Sequence, residues 1–154
     1  MNEHVVGLPD EQATIQLGSR LADVLVEGLV VYLSGDLGAG KTCLVRGMLQ
    51  GLGHIGPVKS PTYTLVEDYV LGDSLIYHFD LYRLLDPEEL ELIGIRDYFN
   101  GKACCFVEWP ERGKGWLPAP DIEIHIRLKN EGREASLTGL SETGAALVAS
   151  LKRD

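Results

Sequence analysis

Eight residues, Gly35-Asp36-Leu37-Gly38-Ala39-Gly40-Lys41-Thr42, fit the spacing G-x-x-x-x-G-K-[ST] and directly follow the apolar run Leu29-Val30-Val31-Tyr32-Leu33. Shuffled chains of this composition produce that pattern about once in 150, so a chance glycine-rich turn is the minority reading beside a phosphate-binding loop. Backbone N–H groups can curl around an anion only where side chains leave room, and a following helix adds the positive end of its dipole. Gly35, Gly38 and Gly40 supply that room. The nucleotide contacts expected from this loop are Asp36, Leu37, Gly38, Ala39, Gly40, Lys41 and Thr42. Lys41 would reach the terminal phosphates, and the Thr42 hydroxyl would hold a magnesium ion bridging them.

Such a loop needs a second carboxylate for the metal. It is expected at the tip of a neighbouring buried strand, because strand tips face the crevice where phosphates lie. Glu108 ends the apolar run Ala103–Val107, and Asp80 ends Leu75-Ile76-Tyr77-His78-Phe79, from where it could position an attacking water. Either acid could instead be exposed, or paired with Arg83 or Arg96. Thr62, in Ser60-Pro61-Thr62, could sense a terminal phosphate as switch loops do, or could be a turn residue that starts a strand. His78 shares a strand face with Asp80, and a packed or solvated imidazole accounts for it more simply than a role in the site. Trp109 could shield the site or meet a partner, with core packing an equal account for it and for Trp116. No N-K-x-D segment occurs, and no D-x-x-G follows the hairpin, which favours ATP over GTP.

The elements that must position these residues alternate between helical and strand periodicity. Pro9, Asp10 and Glu11 open a helix that should end near Gly28, and Leu29–Ser34 reads as a strand buried on both faces. Lys41–Gln50 is the helix after the loop. Tyr63–Val70 and Leu75–Asp80 read as an antiparallel hairpin about Leu71-Gly72-Asp73-Ser74. Asp86-Pro87-Glu88-Glu89 has the form of a capping box and starts a short helix through about Ile93. After Ala103–Val107 and a turn-rich stretch over 109–120, Ile122, Ile124, Ile126 and Leu128 alternate with polar residues. Asn130-Glu131-Gly132 turns that strand into Arg133–Leu140, and Ser141 caps a last amphipathic helix. The expected fold is α/β: a mostly parallel sheet core extended by antiparallel strands, with helices on both faces, in a single domain over residues 1–154.

Composition narrows the function classes. The net charge of -9, from 23 acids and 14 bases, repels phosphate backbones, and no lysine or arginine cluster offers a local exception. No apolar run approaches the ~18 residues that a bilayer demands, and the N-terminus lacks a signal-peptide pattern, so a cytoplasmic protein with no membrane partner is expected. Cys43, Cys104 and Cys105 have no C-x-x-C spacing, and the adjacent pair reads as buried small hydrophobes.

Taken in order, Gly35–Thr42, Ser60-Pro61-Thr62-Tyr63, His78-Phe79-Asp80-Leu81-Tyr82-Arg83, Glu88-Glu89-Leu90 and Glu108-Trp109-Pro110-Glu111 resemble the TsaE family. These are small bacterial ATPases of tRNA threonylcarbamoyladenosine biosynthesis. The resemblance runs on through Leu117-Pro118 and Asp121 to Gly132-Arg133-Glu134. It implies an ATP–magnesium site with Lys41 and the loop amides on the phosphates, Thr42 and Glu108 on the metal, and Asp80 and Thr62 supporting hydrolysis. It also implies that Glu11 and Glu111 lie beside the nucleotide. TsaB and TsaD are the implied partners and hold the tRNA, which agrees with an acidic subunit. Weak hydrolysis alone, raised when partners organise Thr62, Asp80 and Trp109, is expected. Two other functions remain open on sequence: a small-molecule phosphotransferase, although only Arg96 is available for a lid, and a nucleotide-gated binding module that does not hydrolyse.

Overall fold

Gly28 has φ +77 and donates its N–H to the Lys102 carbonyl at 3.1 Å, which anchors the entry to the first buried strand. The structure, a computed structural model, describes residues 3–153. Met1, Asn2 and Asp154, at the ends of the expected domain, lie outside the described residues. Its strands are β1 (Glu3–Leu8), β2 (Val30–Ser34), β3 (Val66–Leu71), β4 (Ser74–Asp80), β5 (Cys104–Glu108), β6 (Ile122–Lys129) and β7 (Gly132–Gly139). The helices are α1 (Glu11–Val24), α2 (Lys41–Gly51), α3 (Glu89–Leu92), α4 (Ile95–Tyr98) and α5 (Glu142–Lys152), with a 3-10 turn over Pro110–Gly113.

All seven strands form one sheet in the order β1-β7-β6-β2-β5-β4-β3. The pairs β6–β2, β2–β5 and β5–β4 are parallel, while β1–β7, β7–β6 and β4–β3 are antiparallel. This is the expected parallel centre with antiparallel extensions. The sheet separates two apolar clusters. Cys104 and Phe106 of β5 join the cluster that also holds Leu17 and Leu21 of α1, Val45 and Met48 of α2, and Val148 and Leu151 of α5. Cys105 and Val107 join Phe79, Leu90 of α3 and Ile95 of α4. Strand alternation therefore puts helices on both faces, and both cysteines of the adjacent pair are buried.

Several boundaries differ from the sequence expectations. Glu3–Leu8, which Pro9 and the acids after it mask as a helix approach, pairs with β7 along its whole length. α1 begins where expected, because the Asp10 side chain accepts from Ala13 N at 2.8 Å, but stops at Val24 instead of near Gly28. The strand expected from Tyr63 starts at Val66, because Pro61 to Leu65 turns: Leu65 N bonds Pro61 O at 2.8 Å and Leu65 takes φ +69. Glu89 does close the capping box, accepting from Leu85 N and Asp86 N.

α1 and α2 cross backbone to backbone. A Cβ on Gly18 would stand 2.3 Å from the Leu44 carbonyl oxygen, and one on Gly47 would stand 2.3 Å from the Ile15 carbonyl oxygen. Both glycines are mid-helix, where propensity disfavours them, so close approach is what they supply.

Candidate functional site

The loop between β2 and α2 is shaped by its glycines. Gly35 takes φ +141, and a Cβ there would meet the Ile126 carbonyl oxygen at 2.2 Å. Gly40 caps α2 with φ +110. The first amides of a helix have no intrahelical acceptor. In α1 and α5 a side chain supplies one, from Asp10 and Ser141 respectively, whereas α2 has no side-chain cap. An uncapped helix start wrapped by a glycine-rich loop is suited to an anion.

Lys41 is buried at the mouth of this loop. Its Nζ donates to Gly35 O at 2.5 Å and lies 3.9 Å from the centroid of the Trp109 ring. Burial pushes its ammonium below the ordinary value, while the charges of Glu108, Asp80, Glu111 and Asp36 draw it back up. Leu37 is exposed and Asp36 receives the Ala39 N–H at 3.0 Å, while Ala39 itself packs into the larger core cluster.

The parallel pairing of β4 and β5 places Asp80 opposite Glu108, so both acids stand at one sheet edge beside the loop. Both are buried, and neither pairs with Arg83 or Arg96. Arg83 instead lies over the Tyr63 ring. Thr42 Oγ1 donates to Glu108 Oε2 at 2.8 Å. Thr62 Oγ1 donates to Asp80 Oδ2 at 3.0 Å and meets Ser60 Oγ at 2.7 Å, while Asp80 Oδ1 accepts from Tyr82 N at 2.9 Å. One cleft is lined by Leu37, Gly38, Gly40, Lys41, Thr42, Cys43, Ser60, Thr62, Asp80, Glu108 and Trp109.

Glu11 binds Arg46 at 2.7 Å and, with Thr14 and Arg133, lines an adjoining cleft that shares Gly38, Gly40 and Cys43 with the first. Glu111 is exposed at the start of the 3-10 turn and reaches the site through its charge on Lys41.

Two residues stand closer to the site than sequence reasoning placed them. His78 is fully buried with Nε2 2.6 Å from Glu108 Oε2, a contact set by cross-strand register that no spacing along the chain reveals. Arg133, from β7, donates to Gly38 O at 3.1 Å. Trp109, beside Lys41 at the mouth, takes φ +57 and its ring leans on Tyr82 with centroids 5.0 Å apart.

A hydroxyl and a carboxylate are hard oxygen donors, the kind magnesium takes together with water and substrate phosphates. Among the described residues no group of three or more His, Cys, Asp and Glu is gathered as a metal cage. The pair Thr42–Glu108 therefore fits a cation shared with phosphate oxygens better than a resident structural metal.

The sheet and its loop define a mixed α/β protein with a glycine-rich loop at the C-terminal edge of a parallel core. The chain belongs to the TsaE family: the family model described as threonylcarbamoyl adenosine biosynthesis protein TsaE matches residues 8–135. It is similar to the tRNA threonylcarbamoyladenosine biosynthesis protein TsaE of Haemophilus influenzae, 51% identical over 146 residues covering 92% of each chain. The Bacillus subtilis TsaE is 39% identical over 127 residues, covering 82% of this chain and 79% of its own. A crystal structure of Bacillus subtilis YdiB superposes with a TM-score of 0.84 at 30% identity, covering 98% of this chain and 95% of that one.

Proposed function

We propose that this protein binds ATP with magnesium and hydrolyses it, weakly alone and faster within a complex with TsaB and TsaD, in the threonylcarbamoylation of adenosine 37 of tRNAs that read codons beginning with A. The names of its relatives support the pathway. The observation that carries the chemistry is the Thr42–Glu108 hydrogen bond beside the uncapped start of α2. It joins a hydroxyl and a carboxylate where a triphosphate tail would lie.

In this reading the α2 amides and Lys41 hold the phosphates, and Thr42 and Glu108 hold the magnesium, which when bound neutralises charge on the terminal phosphate. Asp80 is fixed through both of its oxygens, by Thr62 and by the Tyr82 amide. It accepts a proton from an attacking water that it and Thr62 orient. Trp109 covers Lys41 and must yield before the lysine can turn to a phosphate. Partners that draw Thr62 and Trp109 into place would raise the rate, as activators complete other switch sites.

The chain works in the cytoplasm as a single domain over residues 1–154, with tRNA contacted mainly through its partners. Among the described residues no helix is long and apolar enough to cross a membrane. The test is phosphate release from Mg-ATP with and without purified TsaB and TsaD, for wild type and Glu108→Ala, beside an assay of modified tRNA. Turnover should rise with partners and vanish in the variant. A phosphorylated small molecule as product, or a wild-type rate indifferent to TsaB and TsaD, would overturn the reading.

A further inference from the structure

His78 has no solvent exposure and stands two residues before Asp80 on β4. Register pairs it with Phe106, one pleat short of Glu108 on the same face of β5, so the ring reaches Glu108 diagonally. Its Nε2 lies 2.6 Å from Glu108 Oε2, the oxygen that also accepts the Thr42 hydroxyl at 2.8 Å. Its Nδ1 is buried with no hydrogen-bond partner among the described residues. A proton on Nδ1 would be a buried donor with nothing to bond, so the ring proton sits on Nε2 and faces the carboxylate. An apolar side chain of equal size would spare the desolvation of Nδ1. Packing alone is therefore a poor account of a histidine here.

The geometry points to a positioning role: His78 donates from Nε2 to Glu108 Oε2 and so fixes the carboxylate in the orientation that also holds the Thr42 hydroxyl, preparing this oxygen pair for a divalent cation arriving with the nucleotide. The inference rests on the reading of the cleft as a magnesium–nucleotide site. His78 touches neither nucleotide nor metal in this arrangement and acts through Glu108. Loss of such an outer hydrogen bond ordinarily weakens metal affinity about 10- to 100-fold.

Two variants separate the hydrogen bond from the volume. His78→Gln keeps an amide N–H near the reach of Nε2, whereas His78→Leu fills the space without a donor. Calorimetric titrations with ATP, first in EDTA and then across a series of free magnesium concentrations, read the effect without turnover. All three proteins should bind ATP alike in EDTA. His78→Leu should need at least about tenfold more magnesium to reach half of its full affinity, with His78→Gln close to wild type. A His78→Leu response equal to wild type overturns the inference, and so does a His78→Gln defect as large as that of His78→Leu, which would show that only the ring's volume matters. Ring nitrogen-15 shifts of the nucleotide-free wild type must show the Nε2–H tautomer, a readout that stands even where a variant fails to fold; the Nδ1–H form overturns the inference. Wild type that binds no ATP in any condition overturns the nucleotide reading and this inference together, whereas normal wild-type binding with an indifferent His78→Leu overturns this inference alone.

Discussion

Lys41 Nζ stands 3.9 Å from the centroid of the Trp109 ring while donating to the Gly35 carbonyl, so the cation of the loop is held between its own backbone and an aromatic roof. A phosphate must compete with both contacts. With Trp116→Phe, Trp109 becomes the sole tryptophan of a chain that has two, and Mg-ATP should change its emission saturably. Lys41→Ala should lose that change, together with about 10- to 100-fold of nucleotide affinity, the equivalent of one charged hydrogen bond worth about 1.5–3 kcal/mol. A Lys41→Ala titration that superposes on the parent would exclude the lysine from the phosphates.

Asp80 is anchored by Thr62 and by the Tyr82 amide and is distinct from the Thr42–Glu108 pair. Asp80→Asn should therefore lower kcat by about 10²–10⁴-fold, the range of general-base losses, and leave the Kd for Mg-ATP within about twofold. Rates and calorimetric affinities measured on one preparation check it. Equal loss of binding would place Asp80 on the metal instead.

How much of this was legible in the sequence depended on whether contacts are local. The glycine-rich loop, the Asp86–Glu89 cap and the alternation of Ile122, Ile124 and Ile126 are written in short spacings, and the structure bears out the elements they imply. β1 was not legible because the strand it pairs with, β7, lies at the far end of the chain. The Tyr63-Thr64-Leu65 stretch has strand composition but turns, and the turn delivers Thr62 to Asp80. The His78–Glu108 contact belongs to strand register, which no single segment encodes. Glu11, carried over from the family resemblance, lines a cleft that shares Gly38, Gly40 and Cys43 with the one that gathers Lys41, Thr42 and Glu108, and Glu111 acts on Lys41 through its charge.

The helix crossing reverses an ordinary expectation. Ala for Gly inside a helix usually stabilises by about 1 kcal/mol. At Gly18 or Gly47 the added carbon would meet backbone at 2.3 Å, which no side-chain rotation relieves. Each Ala variant should instead lose about 2 kcal/mol and melt about 4–8 °C lower. Thermal unfolding of the two single variants checks the sign.

Glu134 carries an acid-sensitive contribution. Its carboxylate accepts from Lys129 Nζ at 2.8 Å and from the Arg127 guanidinium, and these hydrogen bonds, Lys129 first, hold its pKa below the ordinary value. A depressed carboxyl adds stability above the unfolded-state pKa of about 4.3 and loses it as pH falls through the folded value. The melting difference between wild type and Glu134→Gln should be full at neutral pH and shrink on acidification below about 4.3. A difference that grows toward low pH would refute the assignment.

Burial pushes the Cys105 thiol up to about 12 and also raises Cys104 and Cys43, of which only Cys43 reaches the surface. Alkylation of the native protein at mildly alkaline pH should be confined to Cys43, with all three sites labelled after denaturation. Peptide mass mapping reads the outcome.

β5 presses Cys104 and Phe106 into one apolar cluster and Cys105 and Val107 into the other, and it ends at Glu108. Its tip is thus clamped from above and below, like an anvil between two blocks, and cannot slide without loosening both. Residues 60–65 and Trp109 line the other side of the cleft, where Leu65 and Trp109 pack against the cluster that holds Cys105 and Val107, Thr62 bonds Asp80, and the indole meets Lys41 and Tyr82. Glu108 is thus carried by a strand that both apolar clusters hold, whereas Leu65 and Trp109 are held by one of them.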